Sequence, residues 1–264
     1  MSNIEVKKQT ALVSQQELVD DWGAPTGFSK DIVIPKILPM QGSSRFVTEG
    51  KYKAQMGDFR DSLTGSLLGR IDEPFLCIPF FCQKVWDILE EQADGQYSYA
   101  RTVPLIEDPQ TPGYNDNLEW QGEEVNPDGK KVKVKRIRKM NFFTLIPSEI
   151  EKGGAMPYVF SFKSTSLKEG KKLYTQMYVR NMRANMPPPS YTIKLGGDRV
   201  KNDKGTFIVP NFTLDRPTTK EELQECKTWI GLIRGGTVKV DTSDEEIIED
   251  VTPAAGPISE VTDY

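Results

Sequence analysis

The sequence contains no histidine. That removes the commonest general base and the commonest zinc ligand. It lowers the expectation of an enzyme, although chemistry by Asp, Glu, Lys or Ser stays open. Cysteine is scarce. Cys77, Cys82 and Cys226 are an odd number without metal-type spacing, and read most simply as small buried hydrophobes in a reducing cytoplasm. No run approaches ~20 apolar residues, so no membrane span is expected. Met1 to Thr10 carry charge without an apolar core, so no secretory signal is expected. Gly153-Gly154 and Gly196-Gly197 do not continue as phosphate-binding loops. The paired acids Glu90-Glu91 and Glu123-Glu124 are adjacent in sequence and most simply solvated. No catalytic residue, cofactor or metal is expected.

What the chain does have is charge, unevenly placed. Its 264 residues hold 34 basic and 38 acidic side chains, a net −4. Eight of the acids, and no Lys or Arg, lie between Asp241 and Tyr264. The first 240 residues therefore hold 34 basic and 30 acidic side chains, a net +4. A basic body with an acidic tail hints at a nucleic-acid partner.

Along the chain, residues 1–31 read as a polar N-terminal arm. Ile32 to Met40, with two prolines, suits an edge strand or extended arm. Gly42 to Gly69 reads as turn-rich. Glu73 to Trp86 is a strongly apolar strand. Asp94 to Asp128, with four prolines and many acids, reads as a long loop, the kind that is functional or disordered. Asn126-Pro127-Asp128-Gly129 is a hairpin turn. Val132 to Lys135 then alternates at period two, and Phe142 to Ile146 and Tyr158 to Lys163 continue in β composition. Ser164 to Asn185 predicts a helix, stopped by Pro187-Pro188-Pro189. Strands at Ser190–Leu195 and Thr206–Leu214 flank a turn at Asn202–Gly205. A second helix is expected from Thr219 to Ile233, with an acid-rich start and a Gly235-Gly236 stop. Beyond Val240 the composition is that of a disordered acidic tail. The expectation is a mainly β chain with α elements (α+β): an OB-like five-stranded barrel over 32–240, with an inserted helix, a C-terminal helix and the tail 241–264.

Four features carry function. The first is Lys130, Lys131, Lys133, Lys135, Arg136, Arg138 and Lys139, seven cations in ten residues. In an alternating strand Lys131, Lys133 and Lys135 share a face at ~7 Å intervals, close to phosphate spacing on an extended strand. The competing reading is a solvated edge strand guarded by lysines. The second is Tyr97, Tyr99, Tyr114 and Trp120, aromatics in polar loop sequence where they could stack bases. The third is Lys163, Lys168, Lys171, Lys172, Arg180 and Arg183 on the first helix, either a phosphate path or simply its wet face. The fourth is the tail, whose acids could occupy the protein's own cationic groove. Asp250, Glu260, Asp263 and Tyr264 could dock a partner.

Several segments resemble one group of phage proteins. They are Ile34-Pro35-Lys36-Ile37-Leu38-Pro39-Met40-Gln41-Gly42-Ser43-Ser44, Gly57-Asp58-Phe59, Ser62-Leu63-Thr64-Gly65, Met140-Asn141-Phe142-Phe143-Thr144-Leu145-Ile146-Pro147, Ser161-Phe162-Lys163-Ser164-Thr165-Ser166 and Asn202-Asp203-Lys204-Gly205-Thr206-Phe207. The group is the single-stranded DNA-binding proteins of tailed bacteriophages, and the resemblance spans about residues 32–240. It implies an OB-type fold and a role in replication and recombination, and transfers no individual DNA-contacting residue. The expected partners are single-stranded DNA and, through the tail, phage or host replication and recombination proteins. No membrane partner is expected, and homo-oligomers are compatible with this reading. The expected setting is the cytoplasm of the infected bacterial host. A single-strand annealing protein and a non-enzymatic virion or assembly protein are the alternatives.

Overall fold

The computed structural model describes residues 32–105, 119–202, 205–234 and 238–240. The predicted arm 1–31, Tyr114 and the acidic tail lie outside the described residues. The strands are β1 (Ile32–Ile34), β2 (Ile37–Pro39), β3 (Asp58–Asp61), β4 (Leu67–Arg70), β5 (Phe75–Glu91) and β6 (Tyr97–Pro104). They continue as β7 (Glu119–Val125), β8 (Lys131–Leu145), β9 (Tyr158–Lys163), β10 (Tyr191–Asn202), β11 (Gly205–Pro217) and β12 (Val238–Val240). The helices are α1 (Arg45–Thr48), α2 (Pro147–Ile150), α3 (Leu167–Thr175) and α4 (Lys220–Arg234). Among the described residues strand outweighs helix, 49% to 25%, so the fold is mainly β with some helices.

Two long strands organise it. β5 and β8 run antiparallel from Ile78↔Leu145 to Glu90↔Val134. At one end β5 pairs with β10 (Phe75 to Cys77), and at the other with β6 (Val85 to Glu91). β8 changes neighbour in the same way, from β7 over Lys131 to Ile137 to β9 over Lys139 to Thr144. Asn126 makes the connecting hairpin as its turn residues predict, with Gly129 at φ 78°.

Period two sends neighbouring side chains of β8 to opposite faces, and in its second half apolar residues fall on both. Phe142 packs edge-on against Phe162 at 5.6 Å, and Phe160 lies 4.8 Å from Phe162. Leu173 and Met177 join this core, with Ile37 and Phe59 of the small sheet β2–β3–β4. Gly170 lets α3 sit directly on Phe162, since a Cβ there would come within 2.8 Å of the Phe162 Cβ. On the opposite face Ile78, Phe143, Leu145 and Val159 meet Cys226, Trp229, Ile230 and Ile233 of α4. That helix starts as predicted. The Thr219 hydroxyl accepts from the Glu222 amide while the Glu222 carboxylate accepts from the Thr219 amide, a capping box. Arg216 then grips Glu222 through both guanidinium nitrogens, at 2.9 and 2.7 Å.

The closed five-stranded barrel expected from element order does not form. The main sheet has seven strands on an open path, β11-β10-β5-β8-β7, with β6 and β9 added along β5 and β8. At 17 and 15 residues, β5 and β8 outrun a small barrel and pass from one set of partners to another. A side chain just past β2 reaches the free edge of β11. The Gln41 amide donates to the Ile208 carbonyl at 3.0 Å and accepts from its N–H at 2.7 Å. Gly42 to Gly69 has turns at 56–57 and 62–64, where Gly57-Asp58 and Thr64-Gly65 predict them, and also holds α1, β3 and the start of β4. The loop expected over Asp94 to Asp128 contains β6 and β7.

Candidate nucleic-acid interface

The basic run forms the first half of β8. It is an interior strand with ladder partners on both edges, so the guarded-edge reading fails. Lys131, Lys133, Lys135 and Lys139 share one face by register, and Arg136 and Arg138 share the other. Carboxylates on neighbouring strands meet most of them. Lys133 pairs with Glu91 at 3.1 Å and Lys135 with Glu119 at 3.3 Å. Arg136 pairs with Glu124. The Glu91 carboxylate holds the exposed Lys133 ammonium above its ordinary range.

Lys139 is the furthest from a phosphate ligand. It is buried with Asp87, their charged atoms 2.9 Å apart. Thr102 donates to the same Asp87 at 2.7 Å, and the Tyr99 hydroxyl lies 3.0 Å from Thr102. Lys130 and Lys131, beside the hairpin turn, are fully exposed. Arg138 and Lys163 are half-buried.

The three predicted stacking residues that are described lie on strands, not in a loop. Tyr97 and Tyr99 belong to β6 and Trp120 to β7, all half-buried. The Trp120 indole lies flat along its own strand over Gly122, where a Cβ would come within 2.4 Å of the ring. The Arg136 guanidinium sits 5.6 Å from the Trp120 ring centroid, a contact worth about 0.5–2 kcal/mol. Trp120, Arg136 and Glu124 therefore form one interlocked group within the sheet.

A different surface gathers cations beside apolar side chains. Between α3 and edge strand β11 runs a cleft of about 610 Å³, lined by Lys168, Lys171, Lys172, Thr175, Gln176, Arg180, Phe212 and Leu214. Leu195↔Phe212 and Ile193↔Leu214 are paired, so the floor continues the apolar face that α3 covers further in. Phe212 packs against the core under α3, while Leu214 stays 45% exposed. Lys172 pairs with Glu169 on its own helix at 2.7 Å. Among the described residues, Lys168 and Arg180 make no ion pair. On the other flank of the helix, the Lys84 ammonium lies 4.4 Å over Tyr174, which stacks on Tyr178.

Lys168, Lys171, Lys172 and Arg180 are thus all among the cations the sequence singles out, while the apolar floor of Phe212 and Leu214 is not. Its one sequence signal is the alternation Phe212-Thr213-Leu214 on a strand that has no further ladder partner among the described residues.

All three thiols are free, and burial raises the Cys82 and Cys226 thiols to about 12, far from a reactive thiolate. Among the described residues, no group of three acids or thiols is placed to hold a metal ion. No described helix is long and apolar enough to cross a membrane.

Comparison with curated proteins gives no match, and neither does comparison with solved structures. A family model described as "Pam3 phage gp34-like protein" matches residues 7–239, which takes in every described strand and helix up to β12. The chain belongs to the Pam3 phage gp34-like protein family.

Proposed function

We propose that this protein binds single-stranded DNA without sequence preference and without chemistry, organising it during phage replication and recombination in the host cytoplasm. The observation that carries this reading is the cleft between α3 and β11. Cations line one wall and an apolar strip, Phe212 and Leu214, forms the floor. Cations neutralise phosphates and release counterions whatever the sequence. An apolar floor adds affinity only for bases whose faces are exposed, and a duplex hides them. The acidic tail supports the same reading through charge complementarity. It competes with DNA for the cationic cleft and presents Asp263 and Tyr264 to replication proteins.

The test is binding of the full chain to a fluorescent oligo-dT and to a duplex of equal length, across a salt series. A salt-dependent preference for the single strand is expected, and its absence overturns the proposal in favour of an assembly role. Adding the complementary strand reads out annealing. Removal of residues 241–264 is expected to tighten single-strand binding.

A further inference from the structure

The segment between α1 and β3 is held in a costly backbone conformation around an exposed aromatic ring. Tyr52 has φ 54° and ψ 18°, and Lys53 has φ 53°. These are left-handed conformations that side chains disfavour, and consecutive non-glycine residues seldom adopt them. Such a geometry persists only where its surroundings over-determine it, and it concentrates at functional sites.

Here the surroundings are built for it. The buried Arg60 guanidinium donates to the Lys53 carbonyl at 3.5 Å and to the Gly65 carbonyl at 2.8 Å. It is itself fixed by Asp58 at 2.7 Å, and Asp58 also accepts from Arg70. One charge pair under the surface thus ties the left-handed segment to the β3–β4 turn. The Tyr52 ring lies on Gly65, where a Cβ would approach within 2.5 Å of it. Phe46 meets the same ring edge-on, at 5.3 Å and 75°. Even so, Tyr52 remains 56% exposed, between the exposed Lys51 and Lys53.

We propose that Tyr52, backed by Phe46 and Gly65, is a nucleobase-stacking platform for single-stranded DNA, with Lys53 beside a flanking phosphate. Lys51, on the other side, is paired with Glu49 at 2.7 Å. This rests on the single-strand reading above and adds a second contact point, on the small sheet rather than in the cleft. A purely apolar protein partner would have no use for the Lys53 ammonium. An unpaired base next to its phosphate uses both the ring and that charge.

The test compares the full-length wild type with Tyr52→Asn and Tyr52→Phe in oligo-dT binding at fixed salt. Asparagine tolerates the left-handed conformation and removes the ring alone. Tyr52→Asn is expected to weaken binding on the order of tenfold, with an unchanged salt slope because no charge is lost. Tyr52→Phe is expected to restore wild-type affinity. Photocrosslinking of a 5-iodouracil oligonucleotide to the wild type, mapped by mass spectrometry, is expected to label Tyr52 and does not depend on how a variant folds. Wild-type affinity in Tyr52→Asn, or crosslinks that avoid Tyr52, overturns the platform. If cleft variants weaken binding while Tyr52→Asn does not, the platform alone fails. If the wild type does not bind oligo-dT, both readings fall.

Discussion

Two sets of cations in this protein make opposite predictions, and the salt dependence of binding separates them. Lys168 and Arg180 face an open cleft. Lys133, Lys135 and Arg136 face carboxylates from Glu91, Glu119 and Glu124. Each phosphate neutralised on a single strand contributes about −0.7 to the slope of log K against log salt. Replacing both cleft residues by glutamine is therefore expected to flatten the slope by about 1.4 units if each neutralises one phosphate. Between about 50 and 200 mM salt, that removes roughly a sevenfold change in affinity. The same replacement at Lys133, Lys135 and Arg136 is expected to leave the slope nearly unchanged, because those charges are already answered within the sheet. Its cost should appear in thermal unfolding instead. Fluorescence anisotropy on a labelled oligo-dT at four salt concentrations is sufficient. A slope that flattens with the strand variant and not with the cleft variant would place the phosphate path on β8 and refute the reasoning.

Three further outcomes follow from the packing. Asp87→Asn leaves the Lys139 ammonium buried without its counter-charge, and unfolding in urea should show a loss of about 3–5 kcal/mol; a loss under about 1 kcal/mol would mean that water reaches the pair. Arg216 holds the Glu222 carboxyl below its ordinary value, with the Thr219 amide helping. A carboxyl depressed in the fold contributes stability above its unfolded value, near 4.5, and loses it as pH falls further. Glu222→Gln should therefore flatten the acid limb of the stability profile below that pH, and an unaltered limb would assign acid unfolding to other groups. Gly170→Ala and Gly231→Ala should differ in sign although both are helical. The first drives a Cβ to 2.8 Å from Phe162, costing about 1–3 kcal/mol, more than the ~1 kcal/mol of helix propensity it gains. The second meets nothing within 4 Å and should stabilise by about that propensity.

Local chemistry was legible in the sequence where one residue type has one strong reason for its place. The Asn126–Gly129 turn, the Thr219 cap and the proline stop after Asn185 all belong to this kind. The helix after Ser164 was legible too, although Gln176–Asn181 widens into a π turn that no residue announces. What failed was anything set by a distant partner. Tyr97, Tyr99 and Trp120 sit among polar residues and read as loop, yet β5 and β8 recruit them into strands. Lys139 reads as a phosphate ligand because its counter-charge, Asp87, lies 52 residues away. The cleft was half legible: Lys168, Lys171, Lys172 and Arg180 stand out by charge, but Phe212 and Leu214 become its floor only because β11 pairs along β10 beside α3.

The parallel pair β1–β12 joins Ile32 to Val238 and Ile34 to Val240. The first described strand thus waits for the last. During synthesis, residues 32–34 have no ladder partner until residue 240 has left the ribosome, although Ile34 belongs to the fully buried core beside α4. Pairing at so long a sequence separation is slow, and an unpaired strand edge invites pairing between chains in the meantime. A chain interrupted before residue 238 would keep that edge open for good. Integrity at one end of the polypeptide is thereby checked at the other, and a premature stop or a late proteolytic cut should show first as aggregation.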